Sequence, residues 1–229
     1  MKQLTIITIN RNNGPGLEKT ILSVVNQTWK DYEYIVVDGA SSDNSVEIIN
    51  KYLDNITYWV SEPDTGIYNA MNKGVKQATG KYCLFLNSGD CLTMNNVLED
   101  VFKEKHTEDI IYGPQLRQGK RGNRVIEFPE KLTFFHFYAE FIGHNCTFIK
   151  RNLFDIIGLY NEKNKIVSDM EFLMLAVCKF NCSTRYIKQI VSVMEDGGIS
   201  NDFENHELVL KERRKVLKKH FPAFISDYE

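Results

Sequence analysis

The chain has no long apolar run, no basic excess and no regular cysteine pattern. A membrane-spanning helix needs about 20 consecutive apolar residues, and no stretch approaches that. A net charge of −2 argues against a nucleic-acid binder, which normally carries a basic surplus. Cys83, Cys91, Cys146, Cys178 and Cys182 form an odd, scattered set. That suits buried thiols in a reducing compartment better than a disulfide frame. Cys178 and Cys182 are joined by no second Cys/His pair at metal spacing, so no zinc site is expected. The N-terminal MKQLTIITIN is too short and too polar for a secretory signal and alternates like a strand. No repeat, low-complexity tract or linker divides the chain. These absences predict one soluble, cytoplasmic domain over residues 1–229, with membrane contact no more than peripheral.

What is present is an alternation. Leu4 to Ile9, Tyr34 to Val37, Ile56 to Val60 and Tyr82 to Leu86 read as strands. Helices are expected over Pro15 to Thr28, from a cap at Ser42 or Asp43 to Tyr52, from Gly66 to Thr79, and from Asn95 to Lys105. Strand and helix at this spacing give βαβ units and a largely parallel, Rossmann-like sheet with helices on both faces. The second half is less regular. Ile110 to Tyr112 predicts a strand, residues 113–128 a hairpin, and 185–194 a further strand. Helices are expected near 150–157, 169–180 and 203–220. This divides the domain into a first half (1–112), a smaller second subregion (113–202), and a C-terminal helix and tail (203–229).

Polar residues follow each of the first four strands: Asn10, Asp38, Glu62 with Asp64, and Asp90. In an open parallel sheet those ends share the edge where ligands bind. Helix capping explains one or two such acids more easily than four. An acid-lined crevice repels an anionic substrate unless a divalent cation intervenes. Asp90, beside Asn87 and Ser88, offers the hard oxygens that Mg²⁺ or Mn²⁺ accepts. The expected ligand is thus a nucleoside diphosphate. A dinucleotide is less well supported, because NRNNGPGLEK holds only two glycines of the G-x-G-x-x-G pattern. Asp38 on a ribose keeps that alternative open.

Four stretches, TIITINRN, QTWKDYEYIVVDGASSDNS, SEPDTGIYNAMNKGVKQATGKYCLFLNSGD and SDMEF, together resemble family 2 glycosyltransferases of the GT-A fold. The likeness runs through residues 1–90 and resumes around 144–200. It implies an inverting transferase that moves a sugar from a nucleotide-sugar donor, typically a UDP-sugar, to a hydroxyl of a glycan or lipid-linked acceptor. Bacterial surface-polysaccharide assembly is the setting it suggests. By this resemblance Asp38 meets the nucleobase, Asp90 ligates Mn²⁺ or Mg²⁺, and Asp169 is the catalytic base. Thr8, Asn10, Asp64, Asn87 and Ser88 fall on the donor side. Gly197, Gly198 and Ser200 belong to a loop that closes over donor or acceptor.

Two departures stand out. Relatives often carry Arg where this chain has Met71, which falls on the apolar stripe of its helix, leaving Lys73 as the candidate phosphate contact. Ser168 replaces the Glu that usually precedes the base, which makes Glu171 a rival to Asp169. His144 has two readings, an acceptor contact or a hydrogen-bonded, partly buried histidine. Tyr68 either stacks on a ligand or packs in the core. On the C-terminal helix, Phe203, Leu210, Leu217 and Phe221 line one face beside Lys211, Arg214, Lys215 and Lys218. That pattern fits peripheral contact with an anionic membrane through 203–220, or a core-packed helix with a solvated flank. A nucleotidyltransferase and a non-catalytic sugar-nucleotide binding module are the rival classes.

Overall fold

The apolar strands and amphipathic helices of the first half build the parallel sheet that their spacing predicts. The computed structural model describes residues 1–119, 122–195 and 203–225. Strands β1 (Leu4–Asn10), β2 (Tyr32–Asp38), β3 (Tyr58–Ser61) and β4 (Tyr82–Phe85) alternate with helices α1 (Gly14–Val25), α2 (Ser45–Lys51) and α3 (Ile67–Gln77). β1 is buried along its whole length and β2 along all but its first residue, as strands covered on both faces must be. β1 lies parallel between β2 and β4, with Asn10 opposite Asp38.

Local chemistry sets the helix ends. Pro15 sits in the first turn of α1, and the Asn13 side chain accepts from the Gly16 N–H at 3.2 Å. Asp43 stitches two helix starts together, accepting from Ser45 N at 3.1 Å and from Gly14 N at 2.9 Å. α3 stops at Gln77, short of the expected Thr79. The N–H groups of Thr79 and Gly80 donate to the Glu33 carboxylate, at 2.5 and 3.0 Å, and not to helix carbonyls.

The rest of the chain is β5 (Cys91–Leu92), α4 (Val97–Phe102), β6 (Ile110–Tyr112), β7 (Gln115–Gly119), β8 (Gly122–Ile126), α5 (Phe134–Ala139), β9 (Thr147–Lys150), α6 (Leu153–Ile156), α7 (Ser168–Cys178), β10 (Thr184–Tyr186), β11 (Ser192–Glu195), α8 (His206–His220) and α9 (Pro222–Ile225). The main sheet has seven strands in the order β10-β6-β9-β4-β1-β2-β3. Its pairs are parallel except the two that β9 makes with β4 and β6. A second sheet runs β5-β11-β7-β8, so residues before 112 and after 113 contribute to both sheets.

The single strand expected over 185–194 is two strands. β10 stays with β6, whereas β11 crosses with β7 into the second sheet. The two paired segments bend together at Gly113-Pro114. The Gln189 carbonyl lies 2.7 Å from where a Gly113 side chain would begin, and Val191 N donates to the Pro114 carbonyl at 2.9 Å.

The apolar face expected on the C-terminal helix is also redrawn. Leu217 and Phe221 are buried, but so are Val209 and Val216, while Leu210 is 50% exposed. The Phe203 side chain lies outside the described residues. Glu212 accepts from the Lys165 and Ile166 N–H groups at 2.7 and 3.0 Å, and Arg213 donates to the Phe137 carbonyl at 3.0 Å. α8 is therefore core-packed, and its outer surface carries Leu210, Lys211, Arg214, Lys215 and Lys218. Among the described residues no helix is long and apolar enough to cross a membrane. All five cysteines are free thiols.

Candidate active site

Parallel β1, β2 and β4 bring their C-terminal ends to one edge, where a hydrogen-bonded chain links them. The turn after β4 hangs on β1 and α1. Ser88 Oγ donates to Asn10 Oδ1 at 2.7 Å, and Gly89 N donates to Thr20 Oγ1 at 2.9 Å. Gly89 has φ of +107°, a conformation that glycine adopts without strain. Thr20 Oγ in turn donates to the Asp90 carbonyl at 2.7 Å. Asn13 Nδ2 holds the Ser88 carbonyl at 3.2 Å. The turn is thus fixed, and Asp90 with it.

From Asn10 the chain continues to Asp38, whose Oδ1 accepts from Asn10 Nδ2 at 2.8 Å and Ser41 Oγ at 2.6 Å. Its Oδ2 accepts from Ser41 N at 2.9 Å and Ser61 Oγ at 2.6 Å. Burial raises this carboxyl's pKa, but the bonds from Ser41, Ser61 and Asn10 outweigh burial and leave it below the ordinary value. A carboxylate offers about four acceptor positions, and protein groups fill them all. Asp38, the residue expected at the nucleobase, is fully buried here and orders Ser41 and Ser61 at the edge.

Two further residues expected on the donor side also bond within the protein. Thr8 is fully buried, with Oγ1 3.0 Å from the Tyr34 hydroxyl, because it lies two residues inside the end of β1. Lys73 places its ammonium 2.8 Å from Glu62 and 2.8 Å from the Pro63 carbonyl, bracing the loop between β3 and α3. Asp64 does stand at the edge. Its Oδ1 accepts from Gly66 N at 2.9 Å, and its Oδ2 lies over Gly39, 2.3 Å from where a side chain there would begin. Gly197, Gly198 and Ser200 lie outside the described residues.

Antiparallel β9 completes the site. Because it runs opposite to β4, its beginning reaches the edge where β4 ends, delivering the one-turn helix His144–Cys146. Asn145 Nδ2 donates to Asp90 Oδ1 at 3.0 Å, and Asn87 N donates to Asp90 Oδ2 at 3.2 Å. The His144 ring lies between two carboxylates, with Nδ1 3.2 Å from Asp169 Oδ2 and Nε2 3.6 Å from Asp90 Oδ2. Burial alone lowers the imidazole's pKa; Asp169 and Asp90 outweigh burial and push it up to about 10.

Asp169 lies in the first turn of α7, where the helix dipole favours an anion. Its Oδ1 accepts from Met170 N at 2.9 Å and from the Tyr68 hydroxyl at 2.9 Å. Tyr68 also reaches the Ile166 carbonyl at 2.5 Å and is 4% exposed, so its ring is core and its hydroxyl orients Asp169. The site thus gathers Asn10, Asp64, Asn87, Ser88, Asp90, His144 and Asp169. Sequence reasoning missed Asn145 and the roles of Tyr68 and His144. The available signal was a polar His-Asn pair just ahead of the apolar strand TFI.

The profile of glycosyl transferase family 2 matches residues 5–165. This chain belongs to glycosyl transferase family 2. A "PGL/p-HBAD biosynthesis glycosyltransferase" of Mycobacterium bovis is 30% identical over 90% of this chain and 82% of its own length. The poly(ribitol-phosphate) beta-N-acetylglucosaminyltransferase TarP of Staphylococcus aureus is 35% identical over 52% of this chain and 38% of its own. Among solved structures, Staphylococcus aureus TarS superposes with a TM-score of 0.73 at 20% identity. That match covers 95% of this chain and 66% of the solved TarS 1–349 chain. The fold is GT-A. Both departures of this family 2 member now have a structural account. Met71 is fully buried. Ser168 Oγ donates to the Asn161 carbonyl at 2.5 Å. Glu171 lies within reach of His220, Asn161 and Asn164, held among α8 and the 161–164 segment.

Proposed function

We propose that this chain is an inverting glycosyltransferase. It moves a sugar from a nucleoside-diphosphate donor, a UDP-sugar, to a hydroxyl of a glycan or lipid-linked acceptor in cell-surface polysaccharide assembly. The observation that carries this reading is the pair of carboxylates, Asp90 and Asp169, set at one sheet edge on either side of His144. TarS has been solved with UDP and with UDP-GlcNAc, which supports uridine as the base.

Asp169 is the proposed general base. Tyr68 and the Met170 N–H fix its Oδ1. As the acceptor oxygen bonds to the anomeric carbon, its proton passes to Asp169 and the bond from that carbon to the diphosphate breaks. Attack opposite the leaving group inverts the centre, through an oxocarbenium-like transition state. Asn10 and Ser88 hold the turn that presents Asp90 to the donor side.

A divalent cation fits the oxygens beside that turn. Asn87 Oδ1 is buried without a hydrogen-bond partner, and the Asn87 backbone N–H donates to Asp90 Oδ2 at 3.2 Å. Mg²⁺ and Mn²⁺ take one or two carboxylates and complete their shells with water and substrate phosphate. Asp90 and Asn87 would hold such an ion, which supplies neutralising charge for the departing diphosphate. A mannosyltransferase of Pyrobaculum calidifontis, similar in fold with a TM-score of 0.67, has been solved with GDP-Man and Mn²⁺.

Thermal denaturation against UDP-, GDP- and dTDP-sugars, each with and without Mn²⁺, tests the donor. UDP-sugars are expected to raise the melting temperature most, and more with Mn²⁺ than without. Stabilisation by none of them sinks the donor site. Binding without any release of UDP leaves a sugar-nucleotide binding module.

The lysines and arginine on the outer surface of α8 support peripheral contact with an anionic membrane at its cytoplasmic face, where a lipid-linked acceptor would lie. Vesicles with anionic lipid should retain the protein, neutral vesicles should not, and Lys211→Glu with Lys215→Glu should release it. Equal recovery from both vesicle types removes this contact.

A further inference from the structure

His144 sits on a closely packed turn and touches both carboxylates of the site. A side chain at Gly143 would begin 2.7 Å from Gln115 Oε1 and 2.8 Å from Asn145 Oδ1, so the segment is pressed against the second sheet. Thr147 Oγ1 donates to the Gly143 carbonyl at 2.9 Å and closes the turn. Two consecutive side chains then face the same carboxylate. Asn145 takes Oδ1 of Asp90, and the His144 ring stands 3.6 Å off Oδ2.

The two ring nitrogens are not equivalent. Nδ1 is 3.2 Å from Asp169, within hydrogen-bond reach, whereas Nε2 is buried with no hydrogen bond of its own. The ring is therefore anchored at the base and only leans on Asp90. A cation–diphosphate that uses Oδ2 of Asp90 must take the place of that looser contact. Because the other nitrogen holds Asp169, any shift of the ring is felt at the base.

We infer that His144 is a positioning residue that couples the two ends of the site, occupying the Oδ2 flank of Asp90 until a donor arrives and orienting Asp169 throughout. The inference rests on the glycosyltransferase reading above and adds a coupling between donor binding and the base. Such coupling is reciprocal. A donor that displaces the ring must bind at least as well once the ring is gone. A purely structural prop behaves differently, because its loss weakens donor binding and turnover together.

The test uses the full chain with His144→Asn, and His144→Gln as a second variant with a longer amide. UDP–Mn²⁺ binding is followed by calorimetry. Mn²⁺-dependent hydrolysis is followed with the UDP-sugar that most raises the melting temperature. For His144→Asn the expected kcat is about 10- to 100-fold lower, the scale of a misplaced reacting group. UDP–Mn²⁺ affinity should be unchanged or higher, with part of kcat recovered in His144→Gln. Adding Asp169→Asn should lower kcat no further than Asp169→Asn alone, since both act through one carboxylate. A kcat near wild type, affinity that falls with kcat, or losses that multiply in the double variant would each overturn the coupling. If His144→Asn does not fold, the same readouts on His144→Gln decide. Absence of UDP–Mn²⁺ binding in the unsubstituted protein overturns the glycosyltransferase reading as well. Normal binding with unchanged variant kcat overturns this inference alone.

Discussion

Asp169→Asn is expected to lower sugar transfer by about 10²–10⁴-fold, the usual contribution of a general base, while UDP binding is retained. The substitution is nearly isosteric. An asparagine carbonyl can still accept from Tyr68 and from the Met170 N–H, which now bond Oδ1, so the start of α7 keeps its geometry. What is lost is the second oxygen, which faces His144 at 3.2 Å. An amide there cannot take up the acceptor's proton. Turnover with the best UDP-sugar, measured beside UDP–Mn²⁺ calorimetry, separates the two effects. Unchanged turnover would remove Asp169 from the chemistry.

Glu171→Ala should act on stability, by about 3–5 kcal/mol, the scale for breaking a buried charged cluster from one side. The Glu171 side chain is 6% exposed and holds His220 at 2.7 Å, with Lys219 at 3.4 Å. Its other oxygen accepts from Asn161 at 3.0 Å and Asn164 at 2.7 Å. Alanine leaves these groups without their carboxylate and loosens α8 from α7. Urea denaturation measures the loss, and one under about 1 kcal/mol would mean the cluster is not a latch.

The pH dependence follows from the same cluster. Burial raises the Glu171 carboxyl's pKa, but the bonds from Asn161 and His220 and the charge of Lys219 outweigh burial and leave it below the ordinary value. A carboxyl depressed in the folded state stabilises fully above its unfolded pKa, about 4.3. That stabilisation disappears as pH falls through the lowered folded value. The gap between wild type and Glu171→Ala should therefore narrow in acid. Glu171→Gln, if folded, should keep turnover, which sets its role apart from that of Asp169.

The first half of the fold was legible because its units repeat: each βα step points a strand end at the same edge. Asn10, Asp64 and Asp90 could be placed there from spacing alone. What those side chains bond to could not be. Asp38 is held by the nearby Ser41 but also by Asn10 and Ser61, and Lys73 by Glu62; Asn10, Ser61 and Glu62 become their neighbours only after folding. Thr8 shows the limit of counting to a strand end, since burial depended on β1 extending to Asn10. His144 was visible as a residue but not as a bridge. Reading it as one requires knowing that β9 enters against the direction of its neighbours, and a short apolar run does not state its direction. The split of 185–194 was hidden for a similar reason, because the bend is set by Gly113-Pro114, between the neighbouring strands β6 and β7.

That reversed strand also orders events in time. β6 and β10 reach the main sheet through β9, which pairs with β4 on its other side. Closing β4 onto β9 means joining residues 82–83 to 149–150, a long loop whose entropy must be overcome before the contacts form. A chain emerging in sequence can pair β1, β2, β3 and β4 early, yet its sheet stays open at the β4 flank until residue 150 is available. The step that fills this gap also carries His144 and Asn145 to Asp90. Closure of the sheet and assembly of the candidate site thus depend on the same pairing of β4 with β9.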